Sequence, residues 1–375
     1  MVWLEAASWG SVGALLLALV FLHRHWARLP SLPEHAPLPP EPASVCLCIP
    51  VRNEVRELPA ALDSWLAQDY PKLRMLVVDD GSTDGSSDLL LDRASAHPDR
   101  LRVLRNEHLP TGWLGKNHAL DLATRQAEAL AADWLLFADG DVQAAPDLLR
   151  RALTFTSNQP TDLLALLPAV DAVGPAERLV LPMAASAFLM LIPPHQVPNP
   201  RHPAFCGVGA FTLVRRRAYK AVGGHAGAPL EAIDDMMLAH RVKAAGFVNR
   251  VARGGPDLHL RMYHGLGELV RAMRKNTAAL PFWWLIPLAL PMALLVGLAP
   301  LWLPFAGHPA LALLLWLLVP ALVGDVQQRM TARPMDLLWA LWPLNALVFA
   351  VGMAWAFADR VRGVNHWRGR NVKIR

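Results

Sequence analysis

Phe137-Ala138-Asp139-Gly140-Asp141, together with the upstream string Val77-Val78-Asp79-Asp80-Gly81-Ser82, decides how this chain is read. Each is a short apolar run that ends in paired acids. A continuous apolar run of this length reads as a strand buried on both faces, as in a parallel sheet. Ligands in open α/β sheets sit outside the carboxyl ends of such strands. Carboxylates from two strands are therefore expected to meet at one crevice. In extended chain Asp139 and Asp141 fall on the same side, where a divalent cation bridging a diphosphate wants hard oxygen ligands.

Working outward, strand-like runs at 45–51, 73–79, 101–104, 134–138 and 163–169 alternate with helical segments around 54–67, 86–96, 117–131 and 146–156. That alternation predicts βαβ units and a mostly parallel sheet. The Gly-x-Gly-x-x-Gly dinucleotide fingerprint and the Gly/Lys-rich phosphate loop are missing, which argues against dehydrogenases and nucleotide triphosphatases. After Phe205 the pattern becomes a Gly-rich run with an extended piece at 211–215, a helix at 233–245 and short extended pieces at 247–251 and 257–263. Cys46, Cys48 and Cys206 are too few and too poorly spaced for a zinc site, and free thiols in a reducing compartment are expected. Cys46 and Cys48 alternate, so both should face one side of a buried strand.

The 375 residues are 54% hydrophobic and only 18% charged, which is more apolar than a soluble protein, so the excess has to be located. Residues 3–22 form a near-continuous apolar stretch followed by His23-Arg24-His25-Trp26-Ala27-Arg28. About 20 residues is what a bilayer core of about 30 Å needs. Positive charge lies after the stretch and not before it, so the expectation is a retained anchor with the N-terminus outside; a cleaved signal peptide would want a basic start. Residues 29–44 are Pro-rich and read as an extended, semi-rigid spacer. From Leu280 the chain turns apolar again, with candidate spans near 283–303, 309–324 and 337–358, before a basic tail. The tail belongs on the cytoplasmic side, so one of the three, the first, broken by Pro281, Pro287 and Pro291, is expected to be interfacial or re-entrant. The apolar stretch 178–194 is either a buried helix or one seated at an interface. The net charge of +5 suits anionic headgroups and a diphosphate alike. Because the basic residues track the apolar flanks and no nucleic-acid motif is present, nucleic-acid binding is not expected.

The ordered strings Ile49-Pro50-Val51-Arg52-Asn53-Glu54, Asp79-Asp80-Gly81-Ser82-Thr83-Asp84, Gly112-Trp113-Leu114-Gly115-Lys116-Asn117, Asp139-Gly140-Asp141, Cys206-Gly207-Val208-Gly209-Ala210-Phe211 and Ile233-Asp234-Asp235 make 45–276 resemble a family 2 glycosyltransferase. Within that family the chain looks like membrane-anchored enzymes that glycosylate lipids, such as ceramide glucosyltransferase and carotenoid- and hopanoid-associated glycosyltransferases. The resemblance implies an α/β GT-A nucleotide-diphospho-sugar transferase fold, with a mostly parallel, Rossmann-like half and N- and C-terminal transmembrane helices. It divides the chain into an anchor (1–28), a linker (29–44), a catalytic domain (45–278), a C-terminal membrane region (279–358) and a basic tail (359–375). The catalytic domain would face the cytoplasm from a multi-pass protein of the inner (plasma) membrane.

Residue by residue, the resemblance implies that Pro50, Arg52, Asn53, Glu54, Asp79 and Asp80 bind uridine and ribose. Read from the residues alone, Asp79 and Asp80 serve equally as a helix cap or the Gly81-Ser82 turn. Lys116, after a Gly-flanked turn at a helix start, is placed to meet a phosphate, or is an ordinary solvated lysine. Asp141 is assigned as ligand of a Mg²⁺ or Mn²⁺ ion, with Asp139 beside it facing the ribose and sugar; the alternative for Asp141 is a capping role. Asp235 is the expected general base, with Asp234 where relatives usually carry Glu, and adjacent like charges should raise one of the two pKa values. Arg271, Arg274 and Lys275 share one helical face and serve either the diphosphate or lipid headgroups. The Gln-x-x-Arg-Trp string of processive members is absent here, which speaks against polymer synthesis. Trp367-Arg368-Gly369-Arg370 is a candidate to fold back over the diphosphate. His259 and His264 lack a third metal ligand and read as acceptor-wall or hydrogen-bonded structural residues. The expected partners are a nucleotide-diphosphate sugar donor, read as a UDP-sugar, a lipid acceptor and the membrane. Rivals are a polyisoprenyl-phosphate glycosyltransferase and a polysaccharide-synthesis or export component without turnover of its own.

Overall fold

A computed structural model describes residues 2–278, 283–331, 337–367 and 370–373. The chain forms two compact units, one of residues 28–171 and 192–261, the other of 1–27, 172–191 and 262–375.

The first unit is built on an eight-stranded sheet, with β1 Val45–Val51, β2 Leu73–Asp79, β3 Leu101–Arg105, β4 Trp134–Phe137, β5 Val142–Ala144, β6 Leu163–Val170, β7 Thr212–Arg215 and β8 Asn249–Leu260. Its order is β3-β2-β1-β4-β7-β6-β8-β5. The β3-β2-β1-β4 half is parallel, as the apolar runs predict: β1, β4 and β6 are buried at every position. The sheet as a whole is mixed rather than mostly parallel. Strand β7 runs antiparallel to both β4 and β6, and β5 antiparallel to β8. Two short expected pieces are one long strand, β8, parallel to β6 with register shifts around Pro168. A proline has no N–H for the ladder and belongs at such an irregularity. The expected 117–131 helix is two, Gly115–Thr124 and Ala127–Ala131.

Trp65, on the Leu58–Leu66 helix and fully buried, ties this helix layer to the sheet. Its ring stacks on Phe211 at 6.4 Å between centroids, and its indole N–H donates to the Val142 carbonyl at 3.0 Å. Cys46 and Cys48 are buried free thiols on the same face of β1. The Pro-rich segment is not a spacer. Leu29, Leu32 and Ala36 are buried, the Arg253 N–H donates to the Pro30 carbonyl at 2.8 Å and Arg151 Nε to the Pro33 carbonyl at 2.8 Å. An extended segment with few N–H groups of its own can lie along a strand by offering carbonyls alone, and its leucines supply the burial.

The second unit is helical. Glu177, buried, accepts the N–H groups of Val173, Gly174 and Gly265 at 2.8–3.1 Å, so one carboxylate serves the starts of both the Pro175–Leu191 and Leu266–Ala278 helices. Among the described residues one stretch, Leu337–Arg362, is long and apolar enough to cross a membrane. Val12–Ala27, Ile286–Gly297 and Pro309–Ala321 are shorter apolar helices. At 1.5 Å per residue the Ile286–Gly297 helix is about 18 Å long, short of a bilayer core of about 30 Å. The Val2–Ala27 helix contains the expected anchor, but several of its first side chains lie outside the described residues. Expected roles for Arg368 and Gly369 also fall outside them. Residues Val364–Trp367 and Arg370–Lys373 pair antiparallel.

Trp65→Ala removes a buried aromatic ring and the donor to Val142, and should destabilise the first unit by about 3–5 kcal/mol. A thermal melt of the purified protein followed by near-UV circular dichroism checks this; an unchanged melting temperature overturns Trp65 as the anchor of the layer.

Candidate active site

The site forms where β1, β2 and β4 end. After β1 the chain turns through Asn53, whose φ of 54° lies in the left-handed region that Asn tolerates better than most residues. Asn53 Oδ1 accepts the Thr83 N–H at 2.8 Å, and Ser82 Oγ accepts the Asn53 N–H at 3.1 Å, which zips the loop after β1 to the loop after β2. Arg52 donates to the carbonyl and carboxylate of Asp80 at 3.0 and 3.2 Å, and Asn106 Nδ2 to the other Asp80 oxygen at 2.5 Å. Asp79 accepts the Ser82 N–H at 2.9 Å and the Ser87 hydroxyl. Thus Asp79 makes the turn that its residue type alone allowed, while Asp80 is held by Arg52 and Asn106. Both are buried.

Asp139-Gly140-Asp141 is not extended, as the simplest reading had it. Strand β4 stops at Phe137, and the Val142 N–H donates to the Asp139 carbonyl at 3.3 Å, closing a turn that carries both acids. A Cβ on Gly140 would collide with Glu54 Oε2, so the turn packs directly against the loop after β1.

Lys116, in the first turn of the Gly115–Thr124 helix, is not solvated. Its ammonium lies 2.8 Å from Asp139 Oδ1 and 3.2 Å from Asp234 Oδ1. Pro50, Lys116, Asp139, Gly209, Asp234 and Asp235 line one pocket. Burial works against the ammonium, but the carboxylates of Asp139, Asp234 and Asp235 outweigh it and hold the lysine pKa well above its ordinary value. Asp235 sits at the start of the Asp234–Ala244 helix, where its Oδ1 accepts the Met236 N–H at 2.8 Å. Burial first, and the neighbouring Asp234 second, push its pKa up to about 6, against the opposing pull of Lys116.

The sequence reading missed the side chains behind these acids. His225 is buried with Nε2 3.9 Å from Asp234 and Nδ1 2.8 Å from the Tyr219 hydroxyl, and burial lowers its pKa to about 4, so it stands there neutral. Asn117 donates to the carbonyls of Ala228, Pro229 and Glu231 at 2.9–3.2 Å, fastening the loop ahead of Asp234 to the lysine helix. Gly207 and Gly209 were visible only as a glycine-rich run. A Cβ on Gly207 would clash with the Asp235 backbone, and one on Gly209 would stand 2.6 Å from Asp139 Oδ2. At these two positions, one against each acid, there is no room for a side chain.

Arg271 and Arg274 belong to the other unit. Arg271 is exposed, 3.9 Å from Glu268, and Arg274 pairs with the buried Asp359 at 2.7 Å while facing the Trp355 ring at 5.2 Å. His259 Nδ1 meets Asp171 at 3.0 Å and His264 lies 3.6 Å from Glu268, so each histidine has a carboxylate partner in its own unit.

Among the described residues no cluster of three or more His, Cys, Asp or Glu side chains is gathered to hold an ion. Two aspartates on one turn still fit a Mg²⁺ or Mn²⁺ ion, because such ions take one or two protein carboxylates and complete their shell with phosphate oxygens and water.

Residues 46–223 match the family model described as Glycosyl transferase family 2, and the chain carries a family 2 glycosyltransferase domain. A PGL/p-HBAD biosynthesis glycosyltransferase of Mycobacterium bovis is 32% identical over 32% of this chain and 44% of its own length. A 4,4'-diaponeurosporenoate glycosyltransferase of Staphylococcus haemolyticus is 26% identical over 36% of this chain and 35% of its own. Each alignment thus spans less than half of the relative. The mannosyltransferase PcManGT from Pyrobaculum calidifontis, solved in complex with GDP-Man and Mn²⁺, shares the fold with a TM-score of 0.59 at 21% identity, covering 94% of this chain and 99% of that one.

Because the folded-state pKa of Asp235 lies above its unfolded value, its ionisation costs stability that is fully present below about pH 4 and lost as pH rises through about 6. Asp235→Asn should therefore melt higher than the wild type at pH 8, by about 1–3 kcal/mol in stability, with the gap closing toward pH 4. Equal melting temperatures at pH 8 overturn the buried-carboxylate assignment.

Proposed function

We propose that this family 2 domain transfers a sugar, with inversion, from a UDP-sugar to a hydroxyl or carboxyl of a membrane lipid. The observation that carries the reading is the Lys116 ammonium held between Asp139, on the strand-end turn, and Asp234, beside Asp235. One cation joins the carboxylate expected at the donor to the pair expected at the acceptor. Asp235 then serves as the general base. With a pKa near 6 it is largely ionised at neutral pH yet basic enough to accept the acceptor's proton. A hydroxyl oxygen attacks the anomeric carbon as the bond to the diphosphate breaks on the opposite face, and its proton passes to Asp235; a carboxyl acceptor, already ionised at neutral pH, attacks in the same way without needing the base. Lys116 supplies positive charge beside Asp139, where the departing diphosphate gathers negative charge. Arg52, Asn53, Glu54, Asp79 and Asp80 shape the loops that take the nucleoside. A divalent ion held by Asp139 and Asp141 would neutralise the leaving diphosphate.

What supports the lipid acceptor is the apolar Leu337–Arg362 stretch and the carotenoid acid named in the staphylococcal relative. The GDP-Man and Mn²⁺ of the structural neighbour indicate what this fold accommodates, a nucleotide sugar with a divalent metal. What supports a cytoplasm-facing domain at the inner membrane is the positive charge flanking the apolar segments.

Asp235→Asn should keep donor affinity within a fewfold while lowering transfer by roughly 10²–10⁴, the usual worth of a general base. Radiolabelled UDP-sugar and a lipid extract as acceptor measure both quantities. Loss of donor binding with turnover retained at saturating donor would instead place Asp235 at the nucleotide.

For the wild type, log(kcat/KM) should fall with decreasing pH below about 6, as Asp235 takes up its proton. A flat profile from pH 5 to 8 overturns the role.

A further inference from the structure

A second cavity, of about 170 Å³, lies in the sheet-containing unit and is lined by Arg28, Pro30, Pro194, His195, Pro198, Arg250 and Val251. It shares no lining residue with the candidate active site. Its volume is many times the about 10–15 Å³ that one water needs. Two guanidinium groups and an imidazole line it, and among the described lining residues none is acidic. Elsewhere in this unit some arginines meet carboxylates, as Arg52 meets Asp80, Arg151 meets Asp257 and Arg217 meets Asp162, and others meet carbonyls, as Arg100, Arg216 and Arg241 do. Arg28 donates to His195 Nε2 at 3.4 Å, so the imidazole accepts there and holds the guanidinium in place. Arg250 Nε donates to the Pro160 carbonyl at 2.9 Å, which fixes the plane of its guanidinium. Proline walls from two separate segments hold the shape of the cavity, since their backbone φ is locked.

We propose that this cavity binds a phosphate oxyanion. Guanidinium forks match tetrahedral phosphate by paired N–H donors. The Pro and Val251 walls leave apolar surface for whatever the phosphate is esterified to. The source is either free phosphate or the headgroup of an anionic lipid. Chain order favours the lipid, because Arg28 directly follows the apolar Val2–Ala27 helix. The inference stands apart from the transfer reaction and is tested by binding alone.

Full-length protein in phosphate-free, non-ionic detergent, carrying Lys116→Gln so that no oxyanion is taken up beside the aspartates, is titrated calorimetrically. The probes are inorganic phosphate, short-chain phosphatidylglycerol and, as the zwitterionic comparison, short-chain phosphatidylcholine. One saturable site for phosphate or for phosphatidylglycerol is expected, weakened about tenfold or more by Arg28→Gln and less by Arg28→Lys. Binding of phosphate itself identifies the free ion as sufficient, and binding of phosphatidylglycerol without phosphate identifies a lipid headgroup. His195→Gln provides a second variant should Arg28→Gln fold poorly. The proposal is overturned if neither anionic probe binds, if phosphatidylcholine binds equally well, or if Arg28→Gln and His195→Gln both leave affinity unchanged.

Discussion

The ammonium of Lys116 is the contact on which the candidate site depends. Three carboxylates, of Asp139, Asp234 and Asp235, are close enough to Lys116 to raise its pKa. Without a cation among them their mutual repulsion, strengthened by partial burial, would drive at least one to hold a proton. Lys116 is placed by its helix start, and that start is held by Asn117, whose amide gathers three carbonyls of the loop leading to Asp234. Position and charge are therefore set by the same short segment.

The acids are not treated alike, and their differences follow from what each touches. Asp80 is matched by Arg52 and Asn106, and Asp79 is consumed by its own turn. Asp235 has one backbone donor, a like charge next to it and little solvent, so its proton is held more tightly. Behind Asp234 stands a neutral His225 braced by Tyr219 rather than a second cation. The arrangement leaves Lys116 as the cation shared by Asp139 and Asp234. It also stores instability in the folded protein at neutral pH, which is the usual condition of a group held ready for proton transfer.

Close packing of backbone does the remaining positioning. Gly207 lies against the Asp235 backbone and Gly209 against the Asp139 carboxylate, while Gly140 lies against Glu54. Each is a place where a methyl group would displace one of these acids, so the glycines act as spacers of zero width. In the helical unit the same device recurs without chemistry: a Cβ on Gly297 would press on Ala346 at 2.6 Å and one on Gly352 on Met273 at 2.9 Å, which lets helices approach closely.

The amino-acid sequence by itself determined the parallel half of the sheet and the identity of the acid-bearing loops. Strand β1 begins and ends where its continuous apolar run does, because a strand buried on both faces admits few polar residues until it emerges, and β2 is apolar between Arg74, exposed near its start, and Asp79 at its end. Asp139, Asp141 and Asp235 were legible as candidates through the ordered strings that carry them, since acids at strand ends and helix starts also serve as caps and turns. Tertiary structure alone decided the rest. Whether Lys116 meets solvent or two aspartates depends on chain separated from it by more than a hundred residues, as Asp234 is. The antiparallel insertion of β7, the union of two short pieces into β8 and the docking of the Pro-rich segment likewise rest on partners distant in sequence. Periodicity records which face of an element is buried, and it carries no information about which element buries it.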